Sequence, residues 1–306
     1  MRFVVGGFLF LVIFGGARAE DEEDIGEMWS RDLLNMCDNP SEYFSLGQLA
    51  SFHYWRGADV VRVEIRSLTP LLLRFVGFAS GRVSKRLLEL AGEQALERMN
   101  VTSENTSYRH RGRRADGLWL EHESDTTLEL FKKIGRVFRF EPKTAENFLH
   151  ESDPTLELFK KIGRVFRFDP KTAENFLLLK YDENGHYAPH YDHLDETTQK
   201  DWWTTHHGNR LATMLLIAKT AERGGGTVFP YLGVTVQPEE GDLVMWFNAD
   251  SHEAREVHSI HGACPIREGT KVALSLWLRS FPHATLRSPL HGEDPSYRLD
   301  HVLRFV

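Results

Sequence analysis

Cysteine is nearly absent: Cys37 and Cys264 are the only two in 306 residues. Neither a disulfide framework nor a zinc site built on several thiolates can hold such a chain together. Long apolar runs are equally scarce. After Phe3–Phe14 no segment reaches the roughly 20 apolar residues that a membrane-spanning helix needs. An excess of positive charge is also missing, since 37 Lys and Arg stand against 44 Asp and Glu, and the formal charge is −7. That balance argues against a nucleic-acid surface, and part of it comes from the acidic, solvated run Glu20 to Glu27.

What is present begins with a leader. Arg2, the apolar stretch Phe3–Phe14 and the small-residue end Ala17-Arg18-Ala19 read as a secretory signal peptide over residues 1–19. Two sequons, Asn100-Val101-Thr102 and Asn105-Thr106-Ser107, agree with that compartment. The terminus Leu303-Arg304-Phe305-Val306 carries no retention tetrapeptide, so residence in the endoplasmic reticulum would require a partner. Within a secreted chain the two cysteines have the option of pairing; Cys264 reads more simply as a small buried apolar residue.

Residues 20–60 form an acidic leader and an accessory segment, a short helix or linker with Trp29, Tyr43, Phe44 and Trp55 scattered through it. From Val61 a strand-like stretch runs through Leu73-Arg74-Phe75-Val76. A helix capped by Ser80 follows, with Val83, Leu87, Leu90 and Ala91 at helical spacing. His122 to Leu149 then recurs as His150 to Leu177, a period of 28 residues broken only by Thr126 against Pro154 and Glu141 against Asp169. Each copy predicts an amphipathic helix, with Phe131, Ile134 and Phe138 or Phe159, Ile162 and Phe166 on one face. Two copies are too few for a solenoid. From Phe176 onward short strand-like segments alternate with Gly and Pro turns, the pattern of an antiparallel double-sheet fold.

One motif in that region carries chemistry. On a strand, residues i and i+2 project from the same face, so His190 and Asp192 can share a metal while Tyr191 points away. Two imidazoles and a carboxylate on one face of an octahedral ion leave positions open, the arrangement favoured by non-haem Fe(II). The remaining ligand must come from elsewhere, and His252, His258 and His261 are the downstream candidates. His186, His193, His206 and His207 crowd the motif in sequence and read as surface-loop groups. The stretch Lys271 to Arg279 alternates: Val272, Leu274, Leu276 and Leu278 belong to a core face, while Lys271, Ala273, Ser275, Trp277 and Arg279 can line a cavity.

The surrounding motifs extend the reading. Tyr181, Gly185-His186-Tyr187-Ala188-Pro189-His190-Tyr191-Asp192, Gly208-Asn209-Arg210-Leu211-Ala212-Thr213 and Gly225-Gly226-Thr227-Val228-Phe229-Pro230 are followed by His261-Gly262-Ala263-Cys264-Pro265 and Gly269-Thr270-Lys271 through Trp277. In this order the stretch from Tyr181 to Arg279 resembles the catalytic domain of the prolyl 4-hydroxylases, the Fe(II) and 2-oxoglutarate dioxygenases that hydroxylate proline in collagen-like peptides. The resemblance implies an α+β fold with a double-stranded β-helix (jelly roll) core and flanking N-terminal helices. The domain would span residues 61–281, before a tail at 282–306.

By the same resemblance His261, ten residues before Lys271, completes a metal set with His190 and Asp192. Lys271 and Tyr181 hold the distal carboxylate of 2-oxoglutarate, with Thr213 at a comparable position. Tyr187, Arg210 and Trp277 form a peptide channel. It also implies ascorbate, a proline-rich or collagen-like substrate, the lumen of the endoplasmic reticulum and a protein disulfide isomerase subunit. Val272 and Arg279 stand where the family often has tryptophan and histidine, departures that bear on substrate sequence preference. A related oxygenase acting on lysine, a metal-binding module without turnover and a purely structural jelly roll are the competing readings.

Overall fold

The computed structural model describes residues 25, 28–40, 50–56, 59–103, 106–108, 110–122, 124–137, 173–195, 202–250 and 253–280. The expected signal peptide, the tail at 282–306, Asn105, His252 and repeat residues 138–172 lie outside them. The strands in chain order are β1 (Ala50–Arg56), β2 (Asp59–Leu68), β3 (Leu71–Val76), β4 (Glu97–Arg98), β5 (Val101–Ser103), β6 (Thr106–Tyr108), β7 (Arg113–Arg114), β8 (Asp116–Leu120) and β9 (Phe176–Tyr181). They continue as β10 (His186–His190), β11 (Arg210–Lys219), β12 (Arg223–Gly224), β13 (Thr227–Phe229), β14 (Val234–Val236), β15 (Leu243–Phe247), β16 (His261–Ala263), β17 (Ile266–Glu268) and β18 (Lys271–Arg279). Four helices matter below: α1 (Arg31–Asp38), α2 (Gly81–Glu93), α3 (Leu128–Val137) and α4 (Trp202–His207).

Two antiparallel sheets make the jelly roll. The larger has nine strands in the order β1-β2-β3-β15-β11-β18-β9-β8-β4, and the smaller has five, β14-β13-β16-β10-β7. Alternation decides which side chain faces which layer. Met214 and Leu216 of β11, Met245 of β15, and Leu274, Leu276 and Leu278 of β18 enter one core, beneath Val83, Leu87 and Ala91 of α2 and Leu130, Ile134 and Val137 of α3. Each fully buried side chain of this size contributes about 1.5–3 kcal/mol. The intervening residues face the smaller sheet. Leu72, Val244 and Trp246 meet Phe229, Val234 and Val236, while Leu177, Leu179, Tyr181 and Trp277 pack with Tyr187 and Ala263 and with Ile266 of the separate β12–β17 ribbon. Among the described residues no helix is long and apolar enough to cross a membrane.

Several expectations shift. The accessory segment is woven into the fold: β1 pairs with β2 and so extends the large sheet ahead of residue 61. Helix α1, whose N-cap Ser30 accepts a bond from the Leu33 amide, packs outside the smaller sheet. There Cys37 bonds covalently to Cys264, with Cα atoms 5.6 Å apart. The two cysteines are therefore a disulfide, correcting the reading of Cys264 as an unpaired apolar residue; the packing of Ile25, Trp29 and Met36 on Val228 brings α1 to the β16 end. The described repeat residues combine the helix of the first copy with the strand of the second, and the buried face of α3 is Leu130, Ile134 and Val137, with Phe131 packed at its edge.

Candidate metal centre and substrate groove

His190 ends β10 and stands directly across from His261, the first residue of β16, with ring centroids 4.5 Å apart. The register shifts between Tyr187 and His190, an irregularity around Pro189, which has no amide hydrogen to offer a ladder. Asp192 lies just past the strand. One atom from each of His190, Asp192 and His261 falls within 4.8 Å of the others.

Both rings are oriented by backbone: His190 Nδ1 donates to the Ala188 carbonyl and His261 Nδ1 to the Ser259 carbonyl, each at 2.9 Å. The Nε2 atoms are thereby left to face the carboxylate, 3.6 Å from Asp192 Oδ1 and 3.5 Å from Asp192 Oδ2. Asp192 Oδ2 also accepts from the Thr213 hydroxyl at 2.6 Å, and Thr213 accepts from Asn248 Nδ2 at 2.8 Å. Burial lowers the pKa of His261 to about 4 against the pull of Asp192. Burial alone would raise that of Asp192, but the facing His261 and His190 rings and Arg210 hold it well below the usual carboxylate range.

This donor set fits a divalent cation. Two imidazole lone pairs and an ionised carboxylate converge on one space with both outer nitrogens spoken for, the ligand state and the supporting bonds that metal sites require. Nitrogen and oxygen donors with no thiolate in the set match non-haem iron better than a structural zinc.

Behind the triad lies a small chamber of about 50 Å³, lined by residues including Tyr181, Thr213, Thr227, Trp246 and Ser275. The Thr227 hydroxyl and the Trp246 indole N–H are buried with no hydrogen-bond partner among the described residues, as a polar guest would require. Lys271 pairs across the strands with Tyr181 and is 3% exposed. Its ammonium is not a lining group of the chamber; it donates to the Gly225 carbonyl at 2.6 Å, and Gly225 holds a φ of +72° that favours glycine. Burial lowers the Lys271 pKa to about 8 and raises that of Tyr181 to about 12, so at neutral pH both are proton donors.

In front of the triad a groove of about 570 Å³ opens to solvent. Tyr187 stacks on His190 with ring centroids 3.5 Å apart. Arg210 lies 3.9 Å over the Trp277 ring and makes two bonds to Glu174, at 2.6 and 2.8 Å. Arg279 reaches the same carboxylate at 2.8 Å. Burial alone would lower the Arg210 pKa, and Glu174 more than reverses it. All three residues expected in a peptide channel thus line this groove, although the charge of Arg210 is committed to Glu174.

Four further residues belong to the site and were not singled out by sequence. Asn248 orients Thr213, and Arg113 lies 4.6 Å over Tyr187. Glu174 clamps two arginines, and Trp119, half exposed, sits with its ring 6.0 Å from that of Trp277. The other histidines are elsewhere. His186 is buried, bonded to the Asn184 and Arg111 carbonyls, and His193 is buried against the Glu253 carbonyl, so neither is the surface group expected. His258 pairs with Glu256, and His206 and His207 lie on α4.

Comparison with known proteins agrees with this geometry. Residues 176–279 match the 2OG-Fe(II) oxygenase superfamily model. The chain is 32% identical over 222 residues to prolyl 4-hydroxylase subunit alpha-1 of Caenorhabditis elegans, a match covering 71% of this chain and 34% of that protein. It is 26% identical over 250 residues to probable prolyl 4-hydroxylase 7 of Arabidopsis thaliana, covering 74% and 69%. Among solved structures it is similar to the viral collagen prolyl hydroxylase of Paramecium bursaria Chlorella virus-1, at 20% identity and a TM-score of 0.46, covering 68% of this chain and 95% of that one. The chain spans about a third of the nematode subunit's length. The matched segment contains the whole triad together with Lys271, so residues 176–279 are a 2OG-Fe(II) oxygenase domain, and the chain is similar to prolyl 4-hydroxylases.

Proposed function

We propose that this chain hydroxylates carbon 4 of proline in extended proline-rich or collagen-like peptides, using Fe(II), 2-oxoglutarate and dioxygen. The observation that carries the reading is the position of the triad, between a small inner chamber with buried polar groups unpartnered among the described residues and an outer groove walled by aromatic rings. Fe(II) with 2-oxoglutarate would supply the oxidising power, releasing succinate and carbon dioxide as one oxygen atom passes to the peptide. The protein's part is placement. His190, Asp192 and His261 hold the ion by one face. The Lys271 ammonium, which has no carboxylate partner among the described residues, takes the distal carboxylate of the co-substrate, with the protonated Tyr181 hydroxyl beside it. Thr213 orients Asp192 through the bond from its hydroxyl.

In the groove Tyr187 and Trp277 present flat rings to the peptide. A polyproline II chain is already ordered, so docking it on such surfaces loses little entropy. Arg210, fixed by Glu174, stiffens the Trp277 wall. The Cys37–Cys264 disulfide, the leader and the sequons support work in the oxidising lumen of the endoplasmic reticulum. Ascorbate and a protein disulfide isomerase subunit are the accessory factors that the family resemblance favours.

The test is mass spectrometry of a Pro-Pro-Gly repeat peptide incubated with the chain, Fe(II), 2-oxoglutarate and ascorbate. The expected result is added oxygen on proline matched by succinate and abolished in His190→Ala. Succinate release without oxygen on any proline would reject proline as the substrate and redirect the search to lysine and other side chains.

A further inference from the structure

The sequon Asn100-Val101-Thr102 occupies a telling place in the fold. Asn100 is exposed between β4 and β5, and it lines the outer groove beside Met99, Arg113 and Trp119. Its backbone carbonyl accepts a bond from Arg113 Nη1 at 2.8 Å. The Arg113 guanidinium lies 4.6 Å over the Tyr187 ring, and that ring stacks on His190. The acceptor asparagine is therefore tied to the groove rim only two side chains away from a candidate metal ligand. Strand β5 pairs with β6 in a two-stranded ribbon apart from both large sheets, and the acceptor Asn100 is itself exposed at the start of it. The disulfide between Cys37 and Cys264 independently points to the compartment in which such modification occurs.

We infer that Asn100 carries an N-linked glycan and that this glycan forms an outer wall of the groove, admitting a free extended chain and hindering bulky substrates. The second half rests on the proposed hydroxylase reading; the first does not. In the transfer, the Asn100 carboxamide nitrogen bonds to the anomeric carbon of the first sugar of a lipid-linked oligosaccharide diphosphate. The sugar–phosphate bond breaks, the lipid diphosphate leaves, and the amide proton passes to solvent, with nothing oxidised or reduced. A solvated glycan rooted at the rim narrows the approach to Trp119 and Trp277 without touching the triad.

The experiment uses the full chain secreted from a eukaryotic host as wild type, Thr102→Ala, which removes the sequon, and Thr102→Ser, which keeps it. Peptide mass spectrometry before and after endoglycosidase should find a glycan on Asn100 in the wild type and Thr102→Ser and none in Thr102→Ala. Turnover is then compared for a free proline-rich peptide and for the same peptide fixed to a carrier protein. Loss of the glycan should raise kcat/KM for the carrier-held peptide about threefold or more and leave that for the free peptide unchanged. Unmodified Asn100 in secreted, folded protein overturns the site, and an occupied Asn100 with equal carrier kcat/KM in wild type and Thr102→Ala overturns the wall. If no form hydroxylates any peptide, the hydroxylase reading fails. The wall is then read from the rate at which a carrier-linked tryptophan reagent modifies Trp119: faster in Thr102→Ala supports it, equal rates reject it.

Discussion

The inner chamber and the outer groove share Arg113, Tyr187, His190, Asp192 and Trp277, yet they are held in different ways. Chamber residues sit on paired strands whose register fixes them: Tyr181 across from Lys271, Thr213 across from Trp277 and Trp246, His190 across from His261. A short, buried relay runs into it from Asn248 through Thr213 to Asp192. The groove is assembled from strand ends and connecting segments, and one carboxylate, Glu174, gathers two arginines into its wall. The comparison teaches that sheet register places reactive groups, while a recognition surface can be drawn from distant segments and locked by ion pairs. Damage to the chamber should thus disable chemistry, and damage to the groove should weaken recognition alone.

The largest effect is expected in the chamber. Asp192→Ala should abolish Fe(II) binding, measured by metal analysis after gel filtration, with an activity loss well beyond the roughly 10–100-fold that removing an outer partner costs. Thr213→Val, which removes such a partner, should fall within that smaller range. Lys271→Met, beside the chamber and across from its Tyr181, comes next. A buried charge stripped of its counterpart typically costs about 3–5 kcal/mol, so the KM for 2-oxoglutarate should rise by roughly a hundredfold or more in this variant.

Lys271 also sets a pH signature. Its folded pKa of about 8 lies below the ordinary value of 10.5. Below pH 8 folded and unfolded chains are both protonated, and burial of the ammonium destabilises the fold in full. Between about pH 8 and 10.5 the unfolded chain binds more protons, so stability rises with pH through that window. Thermal unfolding without co-substrate should show this rise in the wild type and not in Lys271→Met. Affinity for 2-oxoglutarate should fall over the same interval as the ammonium is lost.

The disulfide supplies the next effect. It closes a loop across a separation of 227 residues, and Cys37→Ser should lower stability by about 2–4 kcal/mol in calorimetry. Smallest is Trp119→Ala at the groove edge. Loss of a ring contact worth about 0.5–1.5 kcal/mol should raise the peptide KM a few-fold and leave the KM for 2-oxoglutarate unchanged.

The same division explains what was legible in the sequence. His190, Asp192, Lys271 and the two faces of β18 follow from period-two alternation and ordered motifs, both local signals. Cys264 was the one available partner for Cys37, but whether the two pair was not legible, because nothing near either cysteine announces a contact across so much chain. Glu174 was hidden by its twin: Glu146 has the same neighbours in the first repeat copy, and only the fold selects the second. His186 and His193 looked like surface groups because their partners are backbone carbonyls of remote segments, and a carbonyl leaves no mark in the side-chain pattern.

The division between chamber and groove is tested most directly by counting succinate and hydroxylated proline in the same reactions for the wild type, Lys271→Met and Trp119→Ala. The account predicts that Lys271→Met loses both products together at limiting 2-oxoglutarate. Trp119→Ala should keep the peptide-independent succinate release of the wild type and require more peptide to reach the same hydroxylation. Loss of peptide-independent succinate release in Trp119→Ala, to the level of Lys271→Met, would contradict it.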